Sequence, residues 1–188
     1  ESYQTTAGQD GARHEVIPGF SIGELLDTDV DGIPSAAADG DDLDGDNDED
    51  GIRVTSPFTV AFDGVIDVTA FGIGDLDGYL DAWMDLNNDG DFDDALEQIL
   101  DSEALVNGQN SIAIAMPGGA TVAGDKVARF RFSSTGGLSP VGFAGDGEVE
   151  DHIITLHANP WHNSSVAMDA SGDSFVSPID VLKIVNYL

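Results

Sequence analysis

Oxygen-bearing side chains recur at regular spacing near the carboxyl terminus. When Asp169 is counted as position 1 of a twelve-residue loop, oxygens fall at positions 1, 3, 5, 7, 9 and 12, supplied by Asp169, Ser171, Asp173, the carbonyl of Phe175, Ser177 and Asp180. This is the ligand spacing of an EF-hand-type calcium loop. Ser174 replaces the usual turn glycine and Asp180 is shorter than the usual glutamate, so a turn that caps a helix is the alternative. We favour calcium because a predicted helix follows directly.

A second run of oxygens lies in the middle of the chain. Its candidate calcium ligands alternate along the sequence, and Gly90 supplies the turn: Asp85, Asn87, Asp89, Asp91 and Asp93. Glu97 follows at a distance from which a closing carboxylate could reach back. A hairpin turn rich in asparagine and glycine is the alternative.

The densest acidic run extends from Asp39 to Asp50, where eight of twelve residues are acidic. Carboxylates this dense in a folded loop need counter-charge, which calcium can supply. The candidate ligands in this run are Asp41, Asp42, Asp44, Asp46, Asp48 and Asp50. A disordered acidic linker is the alternative.

Three more carboxylates, Glu148, Glu150 and Asp151, open the last predicted strand. They could close a cation site with the Asp39–Asp50 run, or act as general acid and base in glycoside hydrolysis. Nearby carboxylates are a weak catalytic signal in so acidic a chain. The four histidines lack zinc-site spacing, and no nucleophile motif is present. We therefore expect a protein that is not an enzyme.

The charge balance restricts the partners. The 188 residues include 36 acidic and 6 basic ones, for a formal net charge of -30. Nucleic acids and anionic membranes need basic residues, so cations are the expected partners. There is no cysteine for a disulfide framework, and no apolar run approaches the roughly 20 residues that span a membrane. The composition favours an extracellular or cell-surface location.

Short alternating segments predict strands that must position these loops. They are rich in β-branched and aromatic residues and are separated by Gly- and Asp-rich turns: 60–62, 65–71, 79–86, 111–116, 126–133 and 149–156. This pattern favours a mostly β fold, an antiparallel β-sandwich with long acidic calcium-binding loops.

One helix is predicted from Pro178 to about Leu188, with Ser177 as its N-cap. It completes a short C-terminal EF-hand-like loop-helix. Its apolar stripe is expected to bind a partner, and it consists of Ile179, Leu182, Val185 and Leu188.

Two resemblances follow from these motifs. The run Gly147-Glu148-Val149-Glu150-Asp151 and the loop beginning at Asp85 are similar to the GEVED domain of bacterial surface and secreted proteins. Segments at 11–14, 35–38, 40–42 and 48–51 resemble the N-terminal part of that family. The resemblance covers roughly residues 11–157 and implies a β-rich extracellular module without established catalysis. We expect one β-sandwich domain over residues 1–157, with 1–50 as its acidic, loop-rich N-terminal part.

Residues 158–188 resemble one half of a type I dockerin, whose complete form carries two calcium loop-helix repeats and docks into cohesin. Only one repeat is present, so either the chain was truncated or trimmed, or the lone half pairs with another surface. We expect the second, with the helix in contact with another subunit. The expected function is therefore a calcium-stabilised structural or adhesive module of a surface or filament assembly. The alternative is a docking or glycan-binding module of a polysaccharide-degrading system.

Overall fold

A computed structural model describes residues 3–4, 8, 10–25, 50–60, 62–74, 76–117, 123–158 and 175–185. Within these ranges the chain forms ten β-strands and one α-helix, which confirms a mostly β fold. In chain order they are β1 Arg13–His14, β2 Ser21–Ile22, β3 Ile52–Ser56, β4 Gly64–Phe71, β5 Tyr79–Met84, β6 Gln98–Ala104, β7 Gly108–Ile114, β8 Gly124–Ser133, β9 Phe143–Ala144, β10 Glu148–Leu156 and α1 Pro178–Val185. No helix in the described ranges is long and apolar enough to cross a membrane.

The strands form two larger antiparallel sheets. In one sheet the order is β10-β8-β5-β6. In the other, β4 is central, because it pairs along its length with β7 and on its opposite edge with β3 and then β2. A short parallel pair, β1 with β9, ties the N-terminal segment to the chain that precedes β10.

Both sheets contribute side chains to one hydrophobic core. Residues of β4 point alternately inward and outward, as the two-residue period of a strand requires, and Ile66, Val68 and Ala70 are fully buried. Leu80 and Met84 of β5 belong to the same cluster. The core therefore lies between two sheets, as in a sandwich.

Strand β8 is buried on both of its faces. Phe130 and Phe132 enter the core, as their spacing predicts. The alternate residues Arg129 and Arg131 are also almost completely buried, as is Lys126. The N-terminal segment and the connecting loops cover these cations and supply their polar partners.

One predicted strand is wrong. In the predicted range 60–62, the described residues Val60 and Phe62 belong to no strand; instead the N–H of Phe62 donates to the carbonyl of Thr59 at 2.9 Å, which closes a tight turn. Short apolar runs do not distinguish a strand from a turn by composition alone.

Candidate functional site

The Gly147–Asp151 segment, which we call the signature, begins at a turn that only glycine fits. Gly147 has a φ of 91°, and a Cβ at this position would overlap the carbonyl oxygen of Phe132 on the neighbouring strand β8. The turn leads directly into β10, where Glu148 pairs with Phe132 and Glu150 with Phe130. The period of the strand then places both glutamates on one face, as the sequence predicted.

Both glutamates are buried and accept hydrogen bonds from the backbone of distant strands. The N–H of Ile22 in β2 donates to Glu148 Oε2 at 3.0 Å. The N–H of Gly51, just before β3, donates to Glu150 Oε1 at 2.9 Å. The signature thus fastens both chain segments that flank the acidic run to β10.

Several charged and polar groups surround the carboxyl group of Glu150. Burial raises the pKa of this carboxyl group, and nearby Asp50 raises it further, while the hydrogen bond with His152 Nε2 at 2.9 Å acts in the opposite direction. Asp50 in turn accepts the N–H groups of Glu24 at 3.1 Å and Leu25 at 3.4 Å. Leu25 and Asp50 are therefore close to each other, beside the signature.

Of the Asp39–Asp50 run, the structure describes Asp50, which lies near the signature. Asp50 is close enough to Glu150 to affect its pKa. The other predicted ligands of this run lie outside the described residues: Asp41, Asp42, Asp44, Asp46 and Asp48. The predicted cation site between this run and the signature stays a prediction.

Asp151 points to the other face of β10 and forms a two-pronged ion pair with Arg129. Its oxygens lie 2.8 Å from Arg129 Nε and 2.6 Å from Arg129 Nη2. The remaining donor nitrogen of Arg129, Nη1, reaches the carbonyls of Gln4 and Pro140. The carboxylate therefore neutralises a guanidinium that is only 1% exposed.

The central loop folds around Asp85, which is completely buried. Its carboxylate accepts the N–H groups of Asn88 at 2.5 Å and Gly90 at 3.0 Å, and the Tyr3 hydroxyl at 2.7 Å. Burial and the bond to Asp85 raise the pKa of Tyr3. The first predicted ligand of this loop is thus part of the scaffold of the turn.

The next oxygens of the loop lie closer to solvent. The Asn87 amide donates to Asp89 at 2.9 Å and to Asp94 at 2.6 Å. Asp89, Asp91 and Asp93 help to line a small cavity of about 110 Å³, together with Gln4, Gly90, Phe92, Pro140 and Val141. The structure therefore brings three predicted ligands to one cavity and adds Asp94 beside it.

Glu97 holds the central loop together through backbone hydrogen bonds, and its predicted role as a closing calcium ligand stays a prediction. Its buried carboxylate accepts the N–H groups of Leu86 at 3.0 Å and Asp94 at 3.3 Å. Burial raises the pKa of Glu97, and the charges of Asp85 and Asp89 act in the same direction. The loop carries an excess of negative charge around one closing carboxylate.

Lys126 provides a positive charge inside this loop, which the sequence analysis missed. Its ammonium group donates to the Leu86 carbonyl at 2.8 Å and to Asn88 Oδ1 at 2.9 Å. The side chain is almost completely buried. Because the partners are about 40 positions apart in sequence, no local spacing could have revealed this contact.

The C-terminal helix begins with a reciprocal cap. Asp180 Oδ2 accepts the backbone N–H of Ser177 at 2.6 Å, and the Asp180 N–H donates to the Ser177 carbonyl at 3.1 Å. Phe175, Ile179 and Leu182 are exposed. Other predicted residues of this region lie outside the described part, namely Asp169, Ser171, Asp173, the side chain of Val185, and Leu188.

Among the described residues, no group of three or more acidic or histidine side chains converges closely enough to hold a metal ion. The carboxylates at the signature are instead bound to backbone N–H groups, to a histidine and to an arginine. Arrangements of this kind fix distant segments of chain to one strand.

Comparison with known proteins identifies one domain. A GEVED domain is detected at residues 79–155, a range that runs from β5 to the end of β10 and contains both the central loop and the signature. No curated protein and no solved structure matches the chain. The site and the match together define a β-rich module that carries a GEVED domain.

Proposed function

We propose that this chain is an extracellular, calcium-stabilised structural or adhesive module of a surface or filament assembly, without catalytic activity. One observation carries the proposal: every carboxylate of the signature is bound to another part of the fold. Glu148 and Glu150 are buried against backbone N–H groups, and Asp151 neutralises Arg129. Groups held in this way brace a scaffold, whereas a general acid and base must reach a substrate.

Calcium is the cation that we propose for the acidic loops. The net charge of -30 opposes a compact state, and Lys126 supplies only one positive charge to the central loop. Asp89, Asp91 and Asp93 line one small cavity without converging as a ready-made metal site, and their carboxylate oxygens are of the kind that calcium prefers. The Asp169–Asp180 loop and the Asp39–Asp50 run are the further proposed sites.

Assembly would use the helix at the C-terminal end. Ile179 is 53% exposed and Leu182 is 58% exposed, on the stripe that the sequence assigns to partner binding. Burying apolar side chains of this size against a second subunit is favourable by about 1.5–3 kcal/mol each. These exposed side chains support a contact between subunits.

Sedimentation velocity of the whole chain in millimolar calcium and in excess chelator tests this function. We expect calcium-dependent growth into oligomers, which Leu182→Asp reduces and which Val106→Asp leaves unchanged. Val106 is an exposed valine between β6 and β7 and serves as the matched control. A monomer in both buffers would contradict assembly and would favour a docking or glycan-binding role.

A further inference from the structure

The N-terminal segment from Asp10 to Glu15 lies against the sandwich through polar contacts, whereas Phe20 and Ile22 farther along the chain are buried in the core and stay anchored there. The Arg13 and Glu15 N–H groups donate to Gly142 and Ala144 carbonyls at 3.2 and 3.1 Å. Farther along, the N–H of Ile22 reaches Glu148. Between these contacts, one side chain of the segment reaches the buried cations of β8: that of His14.

One ring nitrogen of His14 faces a hydrogen-bond acceptor and the other faces a hydrogen-bond donor. Nδ1 lies 2.6 Å from the carbonyl oxygen of Asp146, which can only accept a hydrogen bond. Nε2 lies 3.0 Å from Nε of Arg131, which can only donate one. The imidazole is therefore neutral, with its proton on Nδ1, and Nε2 has no room for a second proton while Arg131 is in place.

The charged groups around His14 do not favour a second proton. Arg131 stays protonated, and its other donors reach the carbonyls of Arg13, Ser139, Val141 and Gly142. The carboxylate of Asp146 is turned toward the N–H and hydroxyl of Ser134, although its charge favours protonation slightly.

More distant charges act on Arg131. Arg129 and Arg13 disfavour its positive charge, whereas Asp81 and Asp151 favour it. On the same strand as His14, the Arg13 side chain pairs with Asp10 at 3.1 Å. Because Nε2 of His14 accepts a hydrogen bond from the guanidinium of Arg131, a proton can bind to Nε2 only after that hydrogen bond breaks.

We propose that His14 is an acid-sensitive latch that holds the N-terminal segment on the sandwich at neutral pH and releases it on acidification. At neutral pH the imidazole accepts from Arg131 and donates to Asp146, so it joins β1 to β8 and to the turn before β10. When the segment detaches, the imidazole is exposed and takes up a proton, which prevents it from rebinding Arg131. Release also removes the Arg13 carbonyl from Arg131.

The sign and size of the effect follow from the two protonation equilibria. Burial and the charge of Arg131 lower the pKa of His14 from 6.5 to about 3 when the segment is bound. Acid therefore stabilises the released form, and its population relative to the bound form rises by up to about tenfold for each pH unit below 6.5. Between pH 6 and pH 4 the combined increase is about 70-fold.

Residue-resolved hydrogen exchange of the Arg13 and Glu15 amides tests the latch, after correction for the intrinsic pH dependence of exchange. In the wild-type chain the opening constant should rise between pH 6 and pH 4 by about 70-fold more than in His14→Gln. Glutamine keeps one donor and one acceptor but does not titrate. Carboxylates near the segment contribute equally to both chains, and His157→Gln, at an exposed histidine, should behave like wild type. Equal pH dependence in wild type and His14→Gln would overturn the proposal.

A second measurement does not depend on any variant. Nitrogen-15 NMR of the wild-type imidazole distinguishes the two neutral tautomers and the protonated form. We expect the Nδ1-protonated tautomer of His14 at pH 7 and at pH 5. Titration of His14 near pH 6.5 with the segment still bound, or a proton on Nε2 at neutral pH, would overturn the latch.

Discussion

The ion pair between Asp151 and Arg129 gives the sharpest test of the structural role of the signature. Replacing Asp151 with alanine removes two short charge-assisted hydrogen bonds and leaves a guanidinium that is 1% exposed. The carbonyls of Gln4 and Pro140, which also accept from this guanidinium, are neutral. Breaking a buried ion pair by removing one partner costs about 3–5 kcal/mol of folding free energy.

Urea unfolding followed by circular dichroism measures this loss. In a thermal melt, where 1 kcal/mol corresponds to about 2–4 °C for a chain of this size, Asp151→Ala should lower Tm by roughly 6–20 °C. Asp10→Asn removes the charge of the exposed pair with Arg13 while keeping a residue type that tolerates the φ of 58° at this position, and it is the control, with an expected loss below about 1 kcal/mol. If Asp151→Ala cost no more than this control, the bracing role of the signature would be refuted.

Three further predictions concern the same fold. Gly147→Ala should lower the free energy of unfolding by about 1–3 kcal/mol in urea melts, because alanine is strained at this φ and its Cβ overlaps β8; an unchanged midpoint would argue against the turn. Lys126→Met should cost about 1–3 kcal/mol and speed amide exchange in the central loop, since it leaves a carbonyl without its ammonium donor; normal exchange there would show that the lysine is dispensable. Because of His14, the free energy of unfolding should fall by about 1.4 kcal/mol for each pH unit below 6.5. Folding lowers the pKa of this imidazole, so the unfolded chain takes up the proton first. Glu97 and Glu150 act in the opposite direction, because their raised pKa values let the folded chain take up protons first, and urea melts of His14→Gln between pH 7 and 4 separate the two effects.

The alternating strands were predictable because burial on one face leaves a two-residue period in the sequence. β4 and β10 follow this rule, whereas β5 and β8 alternate in sequence although both of their faces are buried. β6 was missed because Ile99 and Leu100 are adjacent and break the alternation. β1, β2 and β9 have two residues each, too few to show any period.

The sequence indicated where carboxylates concentrate but not what they contact. The alternation places Arg129 and Arg131 on the face of β8 opposite its core residues. That pattern by itself predicts that the arginine face is exposed to solvent. Both are buried because the N-terminal segment covers them, with His14 located 117 positions before Arg131. Contacts of such range arise from topology, and no local spacing encodes them. The buried positions of Glu148 and Glu150 have the same origin.

We propose that calcium stabilises this module. Urea unfolding of the wild-type chain in calcium, in excess chelator and in magnesium at equal ionic strength tests it most directly. At a calcium concentration of 100 times Kd, we predict a gain of about 2.7 kcal/mol for each occupied site over the chelator sample, with a smaller gain in magnesium. Superimposable unfolding curves in calcium and chelator would contradict the claim.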